Sequence, residues 1–92
     1  MFLVLLKYRS LDKIDALLDQ HYANPDGAFA KRLVRIAGRL EPRTGGLMVL
    51  DGTREEVERA VACDPFVTSG AATAEIIEFV PTRQISAPVS GS

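Results

Sequence analysis

The sequence predicts an α+β domain of order β-α-β-β-α-β, on three observations. Short apolar runs at 2–9, 33–37, 46–51 and 73–81 are bounded by turn residues, the pattern of strands. Two stretches between them carry apolar residues at three- and four-residue spacing behind good helix caps. The chain has 92 residues, enough for one core, since single domains typically run from about 50 to 200 residues.

Each element has its own warrant. Phe2-Leu3-Val4-Leu5-Leu6-Lys7-Tyr8-Arg9 is aliphatic and aromatic and reads as the first strand. Ser10 caps a helix whose inner side carries Leu11, Ile14, Leu17, Leu18, His21 and Tyr22. Asn24-Pro25 interrupts it, because proline pushes the preceding residue out of the α region. Asn24 as N-cap and Pro25 as first residue then predict a second short helix over 25–31. Leu33, Val34, Ile36 and Ala37 read as the second strand, followed by the turn-rich loop Glu41–Gly46 and a third strand over 46–51. Thr53-Arg54-Glu55-Glu56 is a capping box that opens a helix with Val57, Ala60 and Val61 turned inward. Asp64-Pro65 stops that helix and suits a single helical turn over 66–69. The last strand is 73–81, and 84–92 form a polar tail of small residues whose Ile85 and Val89 are expected to pack on a neighbouring subunit.

That order is the ferredoxin-like split βαβ arrangement, one four-stranded antiparallel sheet with the helices on one face. The strands at 2–8 and 46–50 are apolar on both sides, with Phe2, Val4 and Leu6 on one face and Leu3 and Leu5 on the other. Helices cover one face only, so a homodimer through the other face is expected.

Composition removes several functions. Eleven Lys+Arg against twelve Asp+Glu give a net charge of −1 without blocks of like charge, so neither a nucleic acid nor a membrane surface is an expected partner. The apolar start of the chain is six residues long and precedes its basic residues, unlike a signal peptide. The lone Cys63 forms no internal disulfide and suits the cytoplasm. With one cysteine and one histidine, no zinc site and no metal are expected. No phosphate-binding glycine loop and no serine nucleophile elbow is present, and no cofactor is expected.

The residues that carry chemistry are few. His21 titrates nearest neutrality, and on an apolar helix face it is either a general base or a histidine satisfied by a neighbouring carbonyl. Asp64 is either its carboxylate partner or the N-cap of the short turn that follows. Pro42-Arg43-Thr44-Gly45-Gly46 is either a plain hairpin loop or a guanidinium and backbone N–H groups set for an anionic substrate. Cys63 reads as a small core residue.

Five stretches together resemble the YciI-like family: Ile14–Leu18 leading to His21, Pro42–Leu47, Asp64-Pro65-Phe66, Glu75–Phe79, and Pro81-Thr82. The resemblance covers 1–83 and implies a dimeric α+β barrel with a site in a cleft of each subunit. It implies His21 and Asp64 as catalytic residues, and Arg43, Thr44 and Phe66 are the expected substrate-binding residues. The family's few assigned reactions include a dehydrochlorination of a chlorinated hydroxyhydroquinone. The expected function is therefore a cofactor-independent lyase or isomerase acting on a small carbonyl or phenolic compound. The alternative is a dimeric accessory protein that binds a small molecule without turnover. The chain departs from the family at Asn24-Pro25-Asp26-Gly27, which breaks a helix, and at Ala37, where a serine is common.

Overall fold

The computed structural model describes residues 1–84, so the expectation for Ile85 and Val89 lies outside the described residues. The elements are β1 (Phe2–Tyr8), α1 (Leu11–Ala23), β2 (Val34–Arg39), β3 (Gly45–Leu50), α2 (Arg54–Ala62), α3 (Pro65–Thr68) and β4 (Ala72–Glu78). The sheet order is β2-β3-β1-β4, and every neighbouring pair is antiparallel. This is the ferredoxin-like topology expected from the element order.

The core lies between the sheet and the helices. Phe2, Val4 and Leu6 of β1 and Met48 and Leu50 of β3 supply the sheet side. Ile14 of α1, Val57, Ala60 and Val61 of α2 and Phe66 of α3 supply the helical side. Both long helices start as their sequences direct: the Ser10 hydroxyl accepts from Lys13 N–H at 3.3 Å. Thr53 and Glu56 exchange the two bonds of a capping box, at 3.1 and 2.8 Å.

Three expectations are corrected. No helix forms over 25–31; the segment is a chain of turns. The Asn24 side chain accepts from Asp26 N–H at 3.1 Å and donates to the Cys63 carbonyl at 3.0 Å. It therefore closes a side-chain turn and ties the segment to the end of α2 instead of starting a helix. The last strand runs over 72–78 rather than 73–81, and its pairing with β1 ends where β1 itself begins, at Phe2↔Glu78. β1 likewise stops at Tyr8, one residue short of Arg9.

The second strand carries a bulge. The pairing with β3 slips between Val34, opposite Leu50, and Ile36, opposite Val49. Arg35 is the extra residue, and its guanidinium meets Asp51 at 2.7 Å. The slip reverses the alternation of faces beyond it. Val34 points to the helices, Ile36 to the opposite face, and Ala37 and Arg39 again to the helical side. That opposite face, with Leu3, Leu5, Leu47 and Val49 half-buried, leaves Ile36 65% and Ile77 41% exposed.

Candidate functional site

His21 sits on the last turn of α1, on its inner stripe, seven residues after the fully buried Ile14. Asp64 follows α2 at the point where Pro65 prevents its continuation. The fold brings the two together across the helical layer. His21 Nδ1 lies 2.8 and 3.0 Å from the two carboxylate oxygens of Asp64, and each residue is 7% exposed. Asp64 Oδ1 also accepts the Phe66 N–H at 2.9 Å. Asp64 is thus the N-cap of α3 and the partner of His21 at once. An ionised carboxylate offers only lone pairs, so Nδ1 carries the hydrogen and donates. The lone pair of the neutral ring is then on Nε2.

Aromatic rings fix that orientation. Phe66 stacks on the imidazole at 4.1 Å with a 10° interplanar angle. Tyr22 and Phe29 meet it edge-on at 5.0 and 5.5 Å. Nε2 makes no hydrogen bond among the described residues, and no buried side-chain nitrogen or oxygen among them lacks a partner. Nε2 is consequently open to the cavity of about 220 Å³ that His21 lines. Pockets for drug-sized ligands run from roughly 300 to 1,000 Å³, so this one suits something smaller.

The remaining expected residues have different surroundings. Arg43 lines the cavity, but its Nη2 is engaged with Asp15 of α1 at 2.6 Å. Phe66 forms the wall behind the imidazole. Thr44 is not among the lining residues; its N–H and hydroxyl both donate to the Pro42 carbonyl, at 2.7 and 3.3 Å. Cys63 is half-buried, with its thiol donating to the Ala60 and Asp26 carbonyls at 3.3 Å.

A solved structure shares this fold. It is the 5-chloro-2-hydroxyhydroquinone dehydrochlorinase (TftG) from Burkholderia phenoliruptrix AC1100, in complex with 2,5-dihydroxybenzoquinone. The TM-score is 0.68 and the identity 17%, over 87% of this chain and 94% of that chain. At that identity the likeness is one of fold. No family model and no curated protein matches the chain.

Two lining residues escape a reading of the sequence. In the sequence Tyr8 is only one residue of the first strand, yet its ring lines the cavity and meets Phe66 edge-on at 6.3 Å. Burial pushes its phenol above the ordinary value, against the pull of the nearby Arg43 charge, so it stays a neutral donor. Arg39 lines the cavity from β2 and makes no ion pair among the described residues. Alternation along 33–39 counts Arg39 on the wrong face, because the bulge at Arg35 has no sequence signature here. Among the described residues no group of three His, Cys, Asp or Glu side chains is placed to hold a metal ion.

Proposed function

We propose that this chain is a cofactor-independent enzyme of lyase or isomerase type in the YciI-like family. In this reading it works in the cytoplasm as a homodimer on a small carbonyl or phenolic compound. The observation that carries this reading is His21, with Nδ1 held by Asp64 at 2.8 Å and Nε2 free on the cavity. Nε2 takes an acidic proton from a carbon next to a carbonyl or from a phenol. Asp64 holds the tautomer and stabilises the imidazolium that forms. In an elimination the electron pair of the deprotonated C–H or O–H bond shifts to form the new double bond, chloride leaves with the electron pair of its C–Cl bond, and His21 passes its proton to solvent. A dehydrochlorinase of the same fold, solved with a hydroxylated quinone, supports that class of substrate. Phe66 backs the imidazole that acts on the substrate, Arg43 of the cavity lining is steadied by Asp15, and Thr44 orders the loop.

The test is proton exchange in heavy water, followed by NMR, across small phenols, hydroxyquinones and β-dicarbonyl compounds, with chloride release from chlorinated ones. The expected result is turnover that His21→Gln reduces by about 10²–10⁴-fold, the usual contribution of a positioned base. Equal turnover in His21→Gln overturns the reading. Tight binding without exchange favours the accessory-protein reading instead, which draws support from Ala37, a lining residue that offers no hydroxyl.

A further inference from the structure

The cavity has an end whose chemistry the base does not use. Directly opposed residues of antiparallel strands project to the same face. Arg39 of β2 is opposed to Gly46 of β3, and Gly46 to Leu6 of β1, all on the helical side. Gly46 has no side chain, and a Cβ added there would lie 3.3 Å from the Tyr8 hydroxyl. The glycine therefore leaves a gap in the sheet surface beside the Tyr8 hydroxyl, and Arg39 is the residue opposed to it on β2. All three residues line the cavity. Arg43 is committed to Asp15, and Arg35, the bulged residue, to Asp51. Arg39 is the lining cation that has no carboxylate partner among the described residues.

From this arrangement we infer that Tyr8 and Arg39 form an oxyanion-recognition site, which makes the ligand of the cavity a small planar organic anion. The inference rests on the proposed use of the same cavity by His21 and deepens it. Tyr8 donates its O–H to the oxyanion and Arg39 supplies charge and N–H donors, the combination that makes charge-assisted hydrogen bonds short and strong. Burial keeps the Tyr8 phenol protonated and so able to donate. The ring of the ligand lies toward Phe66, Phe29 and Tyr22, which provide apolar and edge contacts. The cation at this end also draws electrons from the ligand. A proton on an adjacent position becomes more acidic, and His21 Nε2 is the acceptor in reach of the same space.

The oxyanion has two sources, a carboxylate or an ionised enol, and calorimetric titration with four probes separates them. Benzoate is compared with uncharged benzamide, and 2,5-dihydroxybenzoquinone with uncharged hydroquinone. At least one anion is expected to bind about tenfold or more tightly than its neutral counterpart, the scale of a hydrogen bond to a charged group. Arg39→Gln should erase that preference and weaken its salt dependence, while leaving the neutral probes unchanged. Tyr8→Phe should reduce it several-fold, and Gly46→Ala should act like Tyr8→Phe by displacing the hydroxyl. His21→Gln should retain it, since the base is not the recognition group. Anion preference kept in His21→Gln but lost in Arg39→Gln supports the inference even in a protein without turnover. Equal binding of anion and neutral probes, or an anion preference unchanged by Arg39→Gln, overturns it, and the role of His21 then stands or falls on the exchange experiment alone.

Discussion

One Asp64 oxygen caps α3 through the Phe66 N–H while both oxygens face His21 Nδ1. The two roles separate by substitution. Asp64→Asn keeps an acceptor for the cap but removes the charge that stabilises a protonated His21. Thermal unfolding should change little, while proton exchange falls by about 10–100-fold, as for other partners that orient an imidazole. Asp64→Ala removes cap and partner together and should cost a further 0.5–2 kcal/mol or so of stability, read by urea unfolding. Tyr8 supplies the pH dependence. Its folded-state pKa is raised by burial, so the unfolded chain loses the phenolic proton first as pH rises. The associated stability is present below pH of about 10 and is lost as pH rises through the folded-state value. Urea midpoints measured from pH 8.5 to 11 should therefore fall more steeply for the wild type than for Tyr8→Phe. At this scale the sequence exposes the types of residue and half of the pairing: His21 on an apolar stripe and Asp64 before Pro65. It does not show that Tyr8 and Arg39 line one cavity, because pairings between strands far apart in the chain bring them to it.

The elements differ in how far local chemistry settles them. α2 begins where Thr53 and Glu56 say it does, since a capping box satisfies two otherwise orphaned N–H groups within four residues. Thr53→Ala should destabilise by about 1 kcal/mol. For a domain of this size that lowers Tm by roughly 4–8 °C, measurable by calorimetry. The 25–31 segment goes the other way. Asn24-Pro25 is as good a helix start by local rules, yet Asn24 bonds the Cys63 carbonyl 39 positions away and the segment turns. Asn24→Ser keeps a capping oxygen but loses that reach. It should loosen the tie to α2, seen as faster amide exchange over residues 24–33 than over α1. The bulge at Arg35 belongs here too: it aims Arg39 at the cavity and Ile36 away from it, which no periodic reading of β2 predicts.

For the whole molecule, the exposed sheet face decides how the chain lives in solution. Leu3, Leu5, Leu47, Val49, Ile36 and Ile77 form one apolar surface on the side away from the helices. In the proposed homodimer two copies placed sheet to sheet would cover this apolar surface. Analytical ultracentrifugation should therefore give a mass about twice the 10.0 kDa of one chain. Leu5→Glu combined with Ile36→Glu should halve it while leaving the helix-side core and the His21–Asp64 contact in place. A single-chain mass for the wild type at micromolar concentration would remove the dimer from the proposal. Among the described residues no helix is long and apolar enough to cross a membrane.

The sequence by itself determined the order of elements, the two long helices with their caps, the two-sided apolarity of β1 and β3, and His21 and Asp64 as the residues with chemistry to offer. Those features are local: periodicity, capping and proline each act within about one or two turns of chain. The tertiary structure decided the rest. It sets the 2.8 Å contact of His21 with Asp64, the conversion of 25–31 to turns, the commitment of Arg43 to Asp15, and the slip at Arg35 that turns Arg39 to the cavity. Each depends on contacts between residues far apart in the chain, whose energies outweigh local preference only once the sheet and helices are assembled.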